Sequence, residues 1–291
     1  MNMIIEVPQP ICTSCNKRHA TYHRITSGEK LCKLCLFNSV VKQTRKISHY
    51  YKMFRKNQKI VFAIRGDNIP LSIESFLILH QAVKDFELEY KILCPDNIVD
   101  CKIVDNEIKE HVKGKYEVYT VKYSLDVISK SFIHMVKYID AVSVKIAKES
   151  EAESVVSTLF RDEMTMLSIM GFLLLSKTVF GEGMPVKYVE SVKIVRPFYN
   201  VFSHDVIYLA YSLNDMVKLC KELNKIRINV DEYFLKAYKI FLKSPELMYS
   251  SSKSVELLQS FVIAKTSRCS VCGSFSDKQV CEYCEQFKIS H

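Results

Sequence analysis

Short apolar, β-branched runs alternate with longer stretches of helical spacing through the middle of this chain, and the alternation predicts its architecture. LFNSVVKQTRKISHYYKMFRKN (36–57) spaces its apolar residues helically with basic residues between them, which makes an amphipathic helix. KIVFAI (59–64) followed by RGDNIP reads as a buried strand and a turn. LSIESFLILHQAVKDF (71–86) then reads as a helix with Pro70 at its start. EYKILC (89–94) and YEVYTVKY (116–123) are strands on either side of a helix that includes NEIKEHV (106–112). The series continues with a helix over 124–138, a strand DAVSVKIA (140–147) and a mostly helical stretch over 151–178. It ends with a strand VKIVRPF (192–198) and a helix SHDVIYLAYSLN (203–214), after which 230–264 read as helical. Strands alternating with helices of about 10–15 residues imply an α/β fold with a parallel sheet covered on both faces.

Composition adds three constraints. Only seven Gly and seven Pro in 291 residues argue for a compact, helix-rich chain without flexible linkers. Mixed apolar and charged content is that of an ordinary globular protein, and MGFLLLSKTVF (170–180) is far too short for the roughly 20 residues of a membrane span. The start of the chain has neither a basic region nor an apolar core of the secretory kind, so the cytosol is expected. Charge is asymmetric. Residues 1–60 carry twelve Lys and Arg against Glu6 and Glu29, a net +10 that leaves the remaining 231 residues at −1. An excess of that size at one end predicts an anionic partner, nucleic acid first. Arg24, Lys42, Arg45, Lys46, Lys52, Arg55 and Lys56 are the candidate RNA contacts, chosen on charge and helix spacing.

Eight of the eleven cysteines stand in four CxxC pairs, two near each end. Cys12, Cys15, Cys32 and Cys35 form one set of four, and Cys269, Cys272, Cys281 and Cys284 the other. A CxxC turn aims two thiolates at one ion, and a second turn closes a tetrahedral site. Thiols stay reduced in the cytosol, which favours metal over disulfides. Four protein ligands leave no open coordination position, so two structural zinc ions are expected, although the spacing also accommodates an iron–sulfur cluster. Cys94, Cys101 and Cys220 are left over; Cys94 and Cys220 read as buried free thiols. The expected divisions are a cysteine knuckle with its basic helix (1–57), an α/β core (58–229), a helical connection (230–264) and a second knuckle (265–291).

Three stretches resemble one family. CTSCNKRHATYHRITSGEKLCKLC with its helix and FRKNQKIVFAI, the segment VKIVRPFYNVFSHDVIYLAYSLN (192–214), and the tail RCSVCGSFSDKQVCEYC are similar to the TtuA-type tRNA 2-thiolation enzymes of the PP-loop (adenine nucleotide alpha-hydrolase-like) superfamily. The resemblance implies a parallel-sheet PP-loop (HUP-like) core between two zinc-ribbon knuckles. In that family strand one ends in SGGxDS, whose backbone N–H groups and helix N-terminus hold the pyrophosphate side of ATP. Here the corresponding residues are Arg65-Gly66-Asp67-Asn68-Ile69-Pro70, with Gly66 the remnant of the loop. The family's catalytic cysteines should open the helix after YEVYTVKY, where this chain has SLDVISKSF. The family's GHN-x-DD, expected after DAVSV, is met by KIAKESEAES, with only Glu149, Glu151 and Glu153 as acids.

Three lost motifs predict a pseudoenzyme that keeps a tRNA grip and has lost ATP use. It would hold two zinc ions, neither ATP nor an iron–sulfur cluster, and would act as a stand-alone RNA binder, a homodimer, or a heterodimer with a catalytic paralogue. Two alternatives stand beside it. An active tRNA sulfurtransferase with a rebuilt ATP site would need Arg65 as a phosphate ligand and Cys94 or Cys101 as sulfur carrier. A zinc-stabilised scaffold would bind protein or the ribosome instead.

Overall fold

A computed structural model describes residues 10–212, 232–262 and 267–287. The first knuckle carries a short antiparallel pair, β1 (Tyr22–His23) and β2 (Lys30–Leu31). The centre of the molecule is a six-stranded sheet, built from β3 (Lys59–Ala63), β4 (Glu89–Pro95), β5 (Tyr116–Val121), β6 (Ser154–Val156), β7 (Val186–Val189) and β8 (Val192–Val195) in the order β5-β4-β3-β6-β8-β7. All neighbouring pairs are parallel except the edge pair β7–β8. β3 is central: Ile60 pairs with Tyr90 on one side and Ser154 on the other, and Ile60 to Ala63 are all buried. A strand covered on both faces must read as an unbroken apolar run, which is why KIVFAI is recognisable.

α2 (Ile69–Val83) packs beside α3 (Cys101–His111), and α5 (Phe132–Glu149) packs against β3, β6 and β8. α1 (Lys33–Tyr50) packs on α2, burying Leu36, Val40, Thr44 and Ile47 at helical spacing. α8 (Ser203–Tyr211) packs against both. α6 (Arg161–Leu173) carries α7 (Lys177–Phe180), α9 (Glu232–Lys243) and α10 (Pro245–Val262), so the helical connection packs onto the core. Among the described residues no helix is long and apolar enough to cross a membrane.

Three expected elements are corrected. DAVSVKIA is the second half of α5, not a strand; eleven of that helix's eighteen residues are buried, so its apolar run loses the polar interruptions that mark a helix. The strand itself is Ser154–Val156, inside the stretch read as mostly helical. The helix expected over 124–138 is broken into α4 (Leu125–Ile128) and α5, with Ser131 capping the latter through His134 N–H. β7 has no counterpart among the expected elements.

Candidate functional site

In an open parallel sheet, ligands bind beyond the carboxyl ends of the strands where connections leave in opposite directions. Here that point lies between β3 and β6, and the loop above β3 is Arg65 to Asn68. Gly66 is buried in it. Arg65, also buried, donates from Nε to Asp67 (2.9 Å), from Nη2 to Asp67 (2.5 Å), and from Nη1 to both Glu163 oxygens (2.9 Å each) and to the Thr158 carbonyl (2.9 Å). Its guanidinium lies over the Phe132 ring at 5.3 Å. Burial would lower the Arg65 value, but Asp67 and Glu163 raise it, so the cation is permanent. Burial pushes the Glu163 carboxyl up to about 7 against the pull of Arg65.

The helix end behind this plug is self-satisfied. Asn68 Oδ1 accepts the Leu71 N–H (3.0 Å), Pro70 has no N–H to offer, and Ser72 Oγ accepts the Arg65 N–H (3.0 Å). The space left between β3, β6 and α5 is a cavity of about 10 Å³, room for one water. Arg65 thus commits its Nε, its Nη1 and one Nη2 hydrogen to partners within the chain.

DAVSV belongs to α5, so KIAKESEAES does not follow a strand; the strand is β6, and the segment after it is TLFRDE (158–163). It lacks His and Asn but keeps two acids, and both work structurally. Asp162 accepts from Ser203 N (2.8 Å) and Oγ (2.5 Å) at the start of α8, and Glu163 accepts from Phe160 N–H (3.1 Å) and from Arg65. No cysteine stands in α4 or at the start of α5.

The two cysteine sets each converge. Cys12, Cys15, Cys32 and Cys35 bring their sulfurs within 4.8 Å of one another, and so do Cys269, Cys272, Cys281 and Cys284. Cys272 and Cys281 are 3.8 Å apart, the edge of a tetrahedron with metal–sulfur bonds of ~2.3 Å. Backbone N–H groups of Val271 and Cys281 point at Cys269 Sγ (3.4 and 3.3 Å), as anionic thiolates require. The donor sets fit a tetrahedral ion such as zinc. Both knuckles place the residue after the second cysteine in the left-handed region, Asn16 (φ 54°) and Gly273 (φ 69°). At Gly273 a Cβ would also come within 2.7 Å of the Tyr188 carbonyl, so only glycine fits.

The 192–214 segment ties both knuckles to the core. At its end, Asp205 on α8 accepts from Tyr22 Oη (2.7 Å) and pairs with Arg24 Nε (3.1 Å) of the first knuckle. At its start, Arg196 enters a buried hub with Asp140, Glu182, Lys137 and Lys187. Lys137 donates to Glu182 (2.7 Å) and Ser274 (2.8 Å) and lies 3.7 Å from Cys272 Sγ. Burial alone would raise the Glu182 carboxyl; Lys137, Lys187 and Arg196 outweigh it and hold it well below the usual range. Sequence reasoning missed this hub entirely.

Of the candidate RNA contacts, Arg24 is corrected: it is buried and paired with Glu29 and Asp205, a tie rather than a grip. Arg45 donates to the Ala82 carbonyl (2.8 Å), while Arg55 pairs with Glu153 and Lys56 with Glu87 on the surface. Lys42, Lys46 and Lys52 are exposed, and no ion pair holds them among the described residues. Cys94 is also corrected, because it is disulfide-bonded to Cys101 and not free; Cys220 lies outside the described residues.

A groove of about 640 Å³ runs between the first knuckle and α2, lined by Phe37, Leu77, His80 and Glu74. Burial pushes the Glu74 carboxyl up to about 7, with Lys33 pulling the other way. A raised folded value means the native state keeps a proton that the unfolded chain releases above about pH 4.5. The group's contribution is therefore favourable at low pH and lost as pH rises toward 7. Glu74→Gln is expected to raise the melting temperature by about 5 °C at pH 8.5, and to leave it nearly unchanged at pH 4, below the unfolded value. Equal shifts at both pH values, read by circular dichroism, would count against this assignment.

No family model matches the chain, and no curated protein matches it by sequence. Among solved structures, the U34-tRNA thiolase NcsA from Methanococcus maripaludis, determined with its [4Fe-4S] cluster, is similar with a TM-score of 0.67 at 16% identity, over 94% of each chain. An NAD+ synthetase from Burkholderia pseudomallei is similar with a TM-score of 0.40 at 12% identity, over 76% of this chain and 91% of the other. The fold is thus the one shared with the thiolase structure, a mostly parallel α/β core between two four-cysteine knuckles.

Proposed function

We propose that this chain is a non-catalytic, tRNA-binding relative of the tRNA 2-thiolation enzymes, a cytoplasmic pseudoenzyme with two structural zinc ions and no use of ATP. The Arg65 plug carries the reading: the position of the phosphate loop is filled by the chain's own ion pairs, and the helix end behind it is capped by Asn68. The rebuilt-enzyme alternative asks Arg65 to bind phosphate, and all but one of its N–H groups are already committed to Asp67, Glu163 and Thr158. The RNA grip is assigned to Lys42, Lys46 and Lys52, with Arg55 and Lys56 available because exposed ion pairs are worth only about 0–1 kcal/mol.

Magnesium-ATP at millimolar concentration is expected to produce no thermal shift, whereas binding a hundredfold above Kd would add about 2.7 kcal/mol. Transfer RNA should bind with an affinity that falls steeply with salt. Lys42→Ala, Lys46→Ala and Lys52→Ala together should reduce the logarithmic salt slope by about three. A clear ATP shift, or tRNA binding indifferent to salt and to these changes, would refute the proposal.

A partner subunit is the second part of this reading. Phe172, Leu173, Leu174 and Leu175 are consecutive and exposed, Leu175 by 91% and in the left-handed region (φ 52°). Phe172 also shares a cavity of about 210 Å³ with Leu258 of α10, which makes one apolar surface of the two elements. Purified alone or with a catalytic paralogue, the protein should scatter light as a dimer that Phe172→Glu with Leu175→Glu dissolves. A wild-type monomer under both conditions would rule the partner out.

A further inference from the structure

Eight cysteines of this chain are unbonded and gathered in two metal-binding sets, while Cys94 and Cys101 are joined. A redox setting that leaves eight thiolates for metal does not maintain ordinary structural disulfides, and disulfides found in such a setting are those that exchange. Position and local structure support exchange here. Cys94 lies at the carboxyl end of β4, wholly buried, beside Ile64, whose N–H bonds the Leu93 carbonyl (2.9 Å). Cys101 is the first residue of α3, partly exposed, where the helix dipole favours a thiolate.

The backbone holds the pair together without help from the bond. Ile98 and Val99 N–H groups donate to the Pro95 carbonyl (2.9 and 3.0 Å), and Asp96 N–H donates to the Val121 carbonyl (3.0 Å). Asn97 is bonded both ways to Tyr123 (2.8 and 3.1 Å), and Asp100 caps α3 through Lys102 N–H (3.0 Å). These contacts fix the 5.9 Å Cα separation, so the sulfurs stay within reach when reduced.

We propose that Cys94 and Cys101 form a reversible thiol–disulfide exchange site on the carboxyl edge of the sheet, reacting through Cys101 with dithiols of the cytosolic reductant class. A reductant thiolate attacks Cys101 Sγ, the accessible sulfur, and forms a mixed disulfide. The Cys94–Cys101 bond breaks, and Cys94 leaves as a thiolate that takes up a proton. The second reductant thiol then attacks its own bonded sulfur, releasing Cys101 as a thiol and the reductant as its disulfide. Two electrons and two protons pass to the chain. Oxidation reverses the path: Cys101 attacks an external disulfide and Cys94 resolves it.

The metal-loaded full chain, equilibrated with oxidised and reduced dithiothreitol in graded ratios, is quenched with acid and read by differential alkylation and mass spectrometry. Cys94 and Cys101 should convert together in a single transition, with metal content unchanged. Limited alkylation of the reduced protein should label Cys101 at least tenfold faster than Cys94. With oxidised glutathione, Cys94→Ser should accumulate one stable adduct on Cys101, and Cys101→Ser should accumulate none on Cys94. A bond that opens only on denaturation, thiols that titrate independently, or faster labelling of Cys94 would each overturn the proposal. Both single variants should keep two metals per chain, which separates a lost exchange site from a lost fold.

Discussion

Glu182→Gln is expected to lower the melting temperature by about 10 °C or more. Glu182 is wholly buried, and its carboxylate is the common acceptor for Lys137, Lys187, Arg196 and Ser274. With glutamine there, three buried cations face the single carboxylate of Asp140, and the amide N–H₂ turns donors toward donors. Breaking a buried ion pair from one side costs about 3–5 kcal/mol, a large part of the 5–15 kcal/mol that holds a domain folded. The loss comes from uncompensated charge, so Lys187→Met added to Glu182→Gln should recover part of it by removing one cation that pairs only within the hub. Thermal melts of the single and double variants decide the point. A single-variant shift under about 3 °C, or a double variant less stable than the single, would show that the hub is not the junction described here.

How much of this was legible in the sequence follows from how local each signal is. Both cysteine sets were legible because a CxxC turn brings its ligands together within four residues. KIVFAI, EYKILC and YEVYTVKY were legible as strands because each is short, β-branched and bounded by turns. DAVSVKIA has the same composition but sits in a helix buried on most of its circumference, and there an apolar run does not distinguish the two periods. The misplaced strand in turn misplaced the motif after it, which hid Asp162 and Glu163. β7 lacks the apolar run of a covered strand because Lys187 stands in it, wholly buried against Asp140 and Glu182. Arg24 lies in a strongly basic segment, and its partner Asp205 is 181 residues away, beyond what spacing can report. That Arg65 is committed to ion pairs at the end of β3 could be seen only with Glu163 brought beside it from 98 residues on.

The two knuckles should respond differently to loss of their metal. A divalent ion with four thiolates carries a charge of −2, whereas the hub of Lys137, Lys187, Arg196, Asp140 and Glu182 carries +1. Lys137 joins the two, 3.7 Å from Cys272 Sγ and wholly buried, so the loaded C-terminal site is part of the charge balance of the core. All four of its cysteines are buried; in the N-terminal set Cys15 and Cys35 are partly exposed, and the neighbouring cation, Arg18, is exposed too. When the N-terminal ion leaves, Arg18 is already in water and α1 remains packed on α2. When the C-terminal ion leaves and its buried thiolates take up protons, Lys137 loses its anion and the hub keeps a net positive charge away from solvent, which costs several kcal/mol. A chromophoric chelator should therefore take one metal per chain with far-UV circular dichroism unchanged, and the second only as the whole chain unfolds. Cys15→Ser should lower the melting temperature by a few degrees, and Cys272→Ser by about 10 °C or more. Release of both ions at one rate with the fold intact, or equal losses from the two serine variants, would sink the distinction. The asymmetry is chemical rather than positional: both sites share ligands and turn geometry, and they differ in whether the cation that answers their charge can reach water.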